Sequence, residues 1–302
     1  MSTNPTNISI LIPCYNQSEY IGWVIQAALN QTKPALEVIV VDDASTDDSA
    51  TVISQYPVKL VQHDRNRRLA TTRNTALEAA RGSIVLFVDG DAIPDQHLVE
   101  VIHREFSNAD DSLIGVGGRG IETNVTSIYD RWRARHTSQD YGVKPRRSVP
   151  FLFGLCCAYR RSFLLDVGGF DPFYSQNCGE DLDLGYRINR KGHRLSYTPD
   201  ALVYHMHSDS EEILKLVNYN WAYWAYMAKL RNNLPTWKLY VGYLRSTITA
   251  CLVDLVQEKD INMARLSLLI LGVKLQGLKN AASRVNEPGF ILHRSDSYAS
   301  EE

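Results

Sequence analysis

Apolar positions along the first hundred residues follow two alternating rhythms. Short unbroken runs at residues 8–13, 38–41, 58–61 and 84–88 read as strands. Stretches with helical spacing lie between them. Tyr20, Ile21, Val24, Ile25 and Ala28 mark one face of a helix over 19–31. A second helix is expected at Ser45, placed to cap it, with Asp48 three residues on as a weaker form of the capping box. A third covers 69–81 and stops at Gly82. A fourth opens at Pro94 and carries Leu98, Val101, Ile102 and Phe106. Four successive β–α units predict an α/β, Rossmann-like fold with a mostly parallel central sheet and helices on both faces. Continuous apolar strands, rather than alternating ones, agree with burial on both sides.

The stretch 114–147 is less regular. Gly115, Gly117, Gly118 and Gly120 precede Arg131, Arg133, Arg135, Arg146 and Arg147, and a strand followed by a mobile loop or short helices is expected. Residues 151–160 read as a strand and 182–191 as a short helix. Residues 194–197 and 201–204 read as two short strands around Pro199. From Glu211 the pattern is wholly helical: 211–230, rich in tyrosine and tryptophan, then 237–257 after Pro235, then 261–282. The polar end, 286–302, is expected to be disordered. The expected domains are 1–210 and a C-terminal helical extension over 211–285.

Composition narrows the picture. The chain has 302 residues, 44% of them hydrophobic, which suits one large α/β domain with an appendage. A net charge of −2 supplies no global field for nucleic acid, so nucleic acid is not expected as a partner. The five cysteines are odd in number and no pair has zinc-type spacing, which fits reduced thiols in the cytoplasm. The N-terminus lacks the basic start of a signal peptide. No run of about 18 apolar residues occurs, so no spanning helix is expected. The aromatic residues of 211–230 read as core packing; their alternative is peripheral contact with the inner membrane face.

The candidate chemistry is acidic. Asp42, Asp43, Asp89 and Asp91 all fall at the carboxyl ends of predicted strands, where open α/β sheets bind ligands. Such a cluster calls for a cation or hydrogen-bond donors among the acids. In Asp89-Gly90-Asp91 the two carboxylates can face one side, and Gly90 lets the backbone turn and approach a ligand. Hard oxygen ligands suit Mg²⁺ or Mn²⁺ bridging to a diphosphate; the bland alternative is a surface Asp-Gly turn. At Asp42-Asp43 one carboxylate can hydrogen-bond a ribose or a base, or both can simply favour a helix start. Gly179-Glu180-Asp181-Leu182-Asp183 sets three carboxylates before a helix, suited either to the helix dipole or to a general base. His205 and His207 follow the last strand and offer a third metal ligand. Arg65, Arg67, Arg68 and Arg73 can neutralise a diphosphate. Gly115-Val116-Gly117-Gly118-Arg119-Gly120 matches a dinucleotide fingerprint in letters only. It comes late, precedes no helix start, and residue 135 is arginine rather than an acid.

In order, Ile10-Leu11-Ile12-Pro13-Cys14-Tyr15-Asn16, Val40-Val41-Asp42-Asp43-Ala44-Ser45-Thr46-Asp47, Asn66 through Arg73-Asn74, Asp89-Gly90-Asp91, Gly168-Gly169-Phe170-Asp171, Gly179 through Arg187 and Val203-Tyr204-His205 resemble the segments of family 2 glycosyltransferases of GT-A fold. The resemblance covers roughly residues 8–205, about two-thirds of the chain. It implies an inverting transferase using a nucleotide-diphospho-sugar, with UDP as the nucleotide. The acceptor would be a saccharide or lipid-linked hydroxyl, and Mn²⁺ or Mg²⁺ the cofactor. By resemblance Asp181 is the base and Glu180 orients the acceptor. Asp91 and His205 hold the metal, with His207 the second choice, and Asp89 lies nearer the ribose. Asp43 contacts the nucleotide, with Pro13 and Tyr15 lining its pocket. The family usually has glycine where this chain has Arg68, so the loop shape is expected to differ there and the arginine to add a phosphate contact. Two rivals remain at this level: a sugar nucleotidyltransferase, and a non-catalytic carbohydrate-binding protein on the same fold.

Overall fold

The computed structural model describes residues 7–176, 178–287 and 290. All four early apolar runs become strands: β1 (Ile8–Cys14), β2 (Glu37–Asp42), β3 (Lys59–Gln62) and β4 (Ile84–Val88). Between them lie α1 (Ile21–Leu29), α2 (Ser49–Ile53) and α3 (Arg68–Ala79). Next come β5 (Ala92–Pro94), α4 (Leu98–Ser107), β6 (Leu113–Glu122), α5 (Ile128–His136), β7 (Arg146–Val149), β8 (Cys156–Arg160), α6 (Arg161–Asp166), α7 (Glu180–Arg190) and β9 (Arg194–His205). The sheet order is β3-β2-β1-β4-β8-β6-β9-β5, with β7 paired to β9. The pairings run β1, β2, β3, β4, β6 and β9 in one direction and β5, β7 and β8 in the other. The sheet is therefore mixed and mostly parallel.

Both faces are buried. Ile10, Ile12, Leu86 and Val88 join Ile21, Val24, Leu98 and Ile102 of α1 and α4 in one core. Leu11, Ile39, Val85 and Phe87 join Leu77, Leu184 and Ile188 of α3 and α7 in the other. Each fully buried side chain of this size contributes ~1.5–3 kcal/mol, so the two faces fix the register of the central strands. That register places the ends of β1, β2, β4, β6 and β9 on one rim.

Several local expectations change. Ser45 does not cap the second helix, which begins at Ser49 after Asp48; its Oγ accepts instead from the Asn16 amide at 2.9 Å. Pro94 ends β5 rather than opening a helix. The two short strands around Pro199 are one continuous β9. Its pairing with β6 shifts register between Gly117/Tyr197 and Arg119/Leu202, so Pro199 falls in the irregularity, where no ladder donor is required. The glycines of the false dinucleotide fingerprint lie in β6: a Cβ on Gly118 would sit 2.4 Å from the Ala201 carbonyl oxygen.

The sheet and its helices form one unit, residues 7–123 and 139–207. The second unit joins 124–138 to residues 208–287, so 124–138 does not belong with the preceding strands as a single cut near residue 210 implies. The reason is packing: Trp132 of α5 donates to Ser267 Oγ at 2.8 Å and shares a core with Leu214, Met263, Leu266 and Ile270. The helices here are α8 (Glu211–Arg231), α9 (Trp237–Leu252), a π-helical turn (Val253–Gln257) and α10 (Ile261–Val285). Tyr219, Trp221, Tyr223, Trp224 and Tyr226 of α8 are half-buried. By length and composition, Trp237–Gln257 and Ile261–Val285 are each apolar enough to cross a membrane, where unbroken runs suggested none. Isolated polar residues interrupt these helices without making them polar as a whole. The expected disordered tail lies outside the described residues except for 286, 287 and 290.

Candidate active site

The rim is built from strand ends. At the end of β1, Pro13 is buried and Tyr15 is 44% exposed. A Cβ on Gly90 would lie 3.0 Å from the Pro13 carbonyl oxygen, so any other residue would press the Asp-Gly-Asp turn away from β1. At the end of β2, Asp42 and Asp43 are both buried. Asp42 accepts from the Ser45 amide at 3.2 Å. Asp43 accepts from His63 Nδ1 at 2.6 Å, from the Arg67 amide at 2.7 Å and from the Arg68 amide at 2.9 Å. Asp43 thus ties the loop after β3 to the rim. Arg68 takes φ +71° there, so the loop keeps a conformation that favours glycine even though the residue is arginine.

Arg73 does not reach a surface diphosphate site. It is 1% exposed, and this corrects the expectation that it contacts the donor phosphates. Its Nη2 donates to Asp89 Oδ1 at 2.9 Å and its Nη1 to Glu180 Oε1 at 2.8 Å. The guanidinium also lies 5.3 Å from the Phe170 ring centroid. A Cβ on Gly154 would fall 2.3 Å from Nη2, so a glycine is required beside it. Burial works against the charge, but the facing Asp89 and Glu180 outweigh it and hold the guanidinium charged.

The three carboxylates at the start of α7 separate by partner. Asp183 is fully buried and accepts from Arg187 Nε at 2.7 Å and from the Tyr174 hydroxyl at 3.1 Å. Glu180 is bound by Arg73, while its Oε2 is buried with no hydrogen-bond partner among the described residues. Asp181 is half-buried and accepts from the Leu182 amide at 2.7 Å. Burial, followed by the charge of Glu180, pushes Asp181 up to about 7. It is the one carboxylate of the three that is accessible and shifted towards neutrality.

The strand ends of β6 and β9 meet the Asp-Gly-Asp turn. His205 Nε2 lies 3.7 Å from Asp91 Oδ2, and its Nδ1 lies 3.0 Å from both carboxylate oxygens of Glu122. Burial opposes charge on the ring, but the facing carboxylates of Asp91 and Glu122 push His205 up to about 9. Burial alone would raise Asp91; the nearby His205 ring brings it below its ordinary value. The His207 ring stacks on His205 with centroids 5.7 Å apart. Among the described residues no group of three His, Cys, Asp or Glu side chains forms a ready metal cluster. The donor chemistry nevertheless fits Mg²⁺ or Mn²⁺, which are held by one or two carboxylates completed by substrate phosphates rather than by an all-protein cage. Glu122 fixes His205 Nδ1 as the donor and leaves Nε2 facing Asp91, the carboxylate–histidine arrangement seen behind metal ligands. Sequence reading missed Glu122. Its signal was its place as the last residue of a strand, the position that singled out Asp42.

The glycosyl transferase family 2 model matches residues 9–168. A pre-mycofactocin glycosyltransferase of Mycobacterium tuberculosis is 29% identical over 209 residues, 67% of this chain and 43% of that protein, so the chain spans less than half of that relative's length. The solved mannosyltransferase PcManGT from Pyrobaculum calidifontis, in complex with GDP-Man and Mn²⁺, superposes with a TM-score of 0.58 at 21% identity, over 96% of this chain and 77% of its own. TarS 1–349 of S. aureus, in complex with UDP-GlcNAc, gives 0.57 at 17% identity, over 97% and 88%. These structures establish a GT-A type fold, with C-terminal helices following the sheet.

Proposed function

The chain belongs to glycosyl transferase family 2, and from that premise we propose that it is an inverting, metal-dependent transferase moving a hexosyl or N-acetylhexosaminyl group from a UDP-sugar to a hydroxyl of a saccharide or lipid-linked acceptor. The observation that carries this reading is the pair of salt bridges from Arg73 to Asp89 and Glu180, which brings the Asp-Gly-Asp turn and the start of α7 into one site. The resemblance of the fold to structures holding GDP-Man with Mn²⁺ and UDP-GlcNAc supports a nucleotide-sugar donor.

Asp181 takes the proton of the acceptor hydroxyl as its oxygen attacks the anomeric carbon from the face opposite the leaving diphosphate. Its raised pKa makes it basic enough to hold that proton. Glu180, with one oxygen fixed by Arg73 and the other unpartnered, orients the acceptor. Asp89, Asp91 and His205 are the residues that would hold Mn²⁺ or Mg²⁺, which when bound supplies positive charge to the leaving diphosphate. Pro13, Tyr15, Asp42, Asp43 and Gly90 border the nucleotide, and Arg68 offers the exposed guanidinium for its phosphates. Arg73 holds Asp89 and Glu180 in place rather than touching the donor. All five cysteines are free thiols, which supports a reducing compartment, cytoplasmic or at the inner membrane face.

A panel of UDP- and GDP-sugars with Mn²⁺ or Mg²⁺, scored by melting temperature and by nucleoside diphosphate released, tests the reading. One donor should stabilise the protein only with metal, and its nucleoside diphosphate should be released. Pyrophosphate release from a nucleoside triphosphate and a sugar phosphate would make the protein a nucleotidyltransferase. Carbohydrate binding with no donor effect would make it a binding protein.

A further inference from the structure

The least covered surface of the helical unit is one face of α9. Trp237, Val241, Leu244, Ile248 and Leu252 are between 45% and 61% exposed. Their spacings of four, three, four and four keep them on one side of the helix. At 100° per residue they fall within an arc of about 80°. Thr247 and Ala250, the buried residues of α9, lie on the other side. Scattered exposed apolar residues need no explanation, but an ordered stripe of this length does.

Charge identifies what covers it. Lys238 and Arg245 are exposed and fall about 20–40° beyond one edge of the stripe. No Asp or Glu occurs between residues 232 and 253, and the acid that follows, Asp254, is buried against Arg135 and His136. Residues 237–285 carry seven Lys or Arg against three Asp or Glu, in a chain whose net charge is −2. Trp237 stands at the first position of the helix with Lys238 Nζ 5.9 Å from its ring, a pairing suited to a headgroup layer. A second copy of this chain would set these basic edges against each other.

We propose that α9 is a membrane-surface helix, its exposed apolar face resting on a bilayer rich in anionic headgroups, with Lys238 and Arg245 at the phosphates. This inference does not depend on the transferase reading. It also moves the expected membrane contact from the aromatic helix α8, whose rings are half-buried, to α9. The helix lies along the surface rather than crossing, because its other face is held to α10: the Cys251 thiol donates to the Ala264 carbonyl, and Lys274 Nζ lies 5.2 Å from the Tyr243 ring.

The full chain should co-sediment with phosphatidylcholine vesicles containing phosphatidylglycerol about tenfold more strongly than with phosphatidylcholine alone. Ile248→Glu should weaken that binding by more than about tenfold without changing the circular dichroism spectrum. Lys238→Glu with Arg245→Glu should abolish the preference for the anionic lipid. Equal binding by parent and Ile248→Glu would overturn the proposal. So would a dimer that Ile248→Glu dissociates in the absence of any vesicle binding, since the face would then be a self-interface. Retention on vesicles after an alkaline carbonate wash would overturn it in favour of a spanning helix.

Discussion

Arg73 Nη1 and Glu180 Oε1 meet at 2.8 Å although 107 residues separate them. The same guanidinium reaches Asp89, so one buried cation fixes the spacing between the Asp-Gly-Asp turn and Glu180, the residue just before the proposed base.

Removing that cation leaves buried carboxylates unpaired. Arg73→Met should destabilise the protein by about 3–5 kcal/mol. Arg73→Lys keeps the charge but cannot fork to both partners, so it should fold better than Arg73→Met and still lose most turnover. Urea denaturation and donor turnover, measured on both variants, separate the two effects. Full activity in Arg73→Lys would show that the double contact is not needed.

Asp181→Asn should lower the transfer rate by about 10²–10⁴-fold, the usual range for losing a general base. Donor binding, read as the metal-dependent rise in melting temperature, should persist. Loss of donor binding and turnover together would remove Asp181 from the base role.

The pH profile follows from the same residue. Asp181 works as a base only when ionised, and its raised value of about 7 means that activity should fall as pH drops below neutrality and level off above. Glu180 is the charge that helps raise it, so Glu180→Gln should move the acid limb of kcat/KM to lower pH. An unmoved limb would assign it to another group.

Chelation with EDTA should abolish transfer, and Mn²⁺ or Mg²⁺ should restore it. Asp91→Asn and His205→Ala should prevent that rescue. Glu122→Gln, which touches His205 but not the metal, should weaken metal affinity by about 10–100-fold, read as a higher half-saturating concentration in a Mn²⁺ titration. A Glu122→Gln protein with parental metal dependence would leave Glu122 a purely structural partner.

Arg68 holds a left-handed backbone at φ +71°, which costs a non-glycine residue about 1–2 kcal/mol. Arg68→Gly should therefore raise stability by up to about 1 kcal/mol, part of the relief being offset by glycine's greater freedom in the unfolded chain. It should also raise the donor KM if the side chain reaches the diphosphate. A stabilised variant with an unchanged KM would confine Arg68 to the loop.

The sequence by itself determined the four early strands, their shared direction and the rim on which they end. A parallel strand buried on both faces has to be a continuous apolar run, and the acids that end β2 and β4 stand out against those runs. The bounds of the three C-terminal helices were equally legible, because their apolar spacing is local. The tertiary structure alone decided which charge met which. Among Glu180, Asp181 and Asp183 the letters are interchangeable; Arg73 and Arg187 claim two of them and leave the third half-exposed, without an arginine of its own. Glu122 became the partner of His205 across 83 residues in the same way. Desolvation and ion pairing depend on neighbours delivered by distant segments, and a linear pattern does not contain those neighbours.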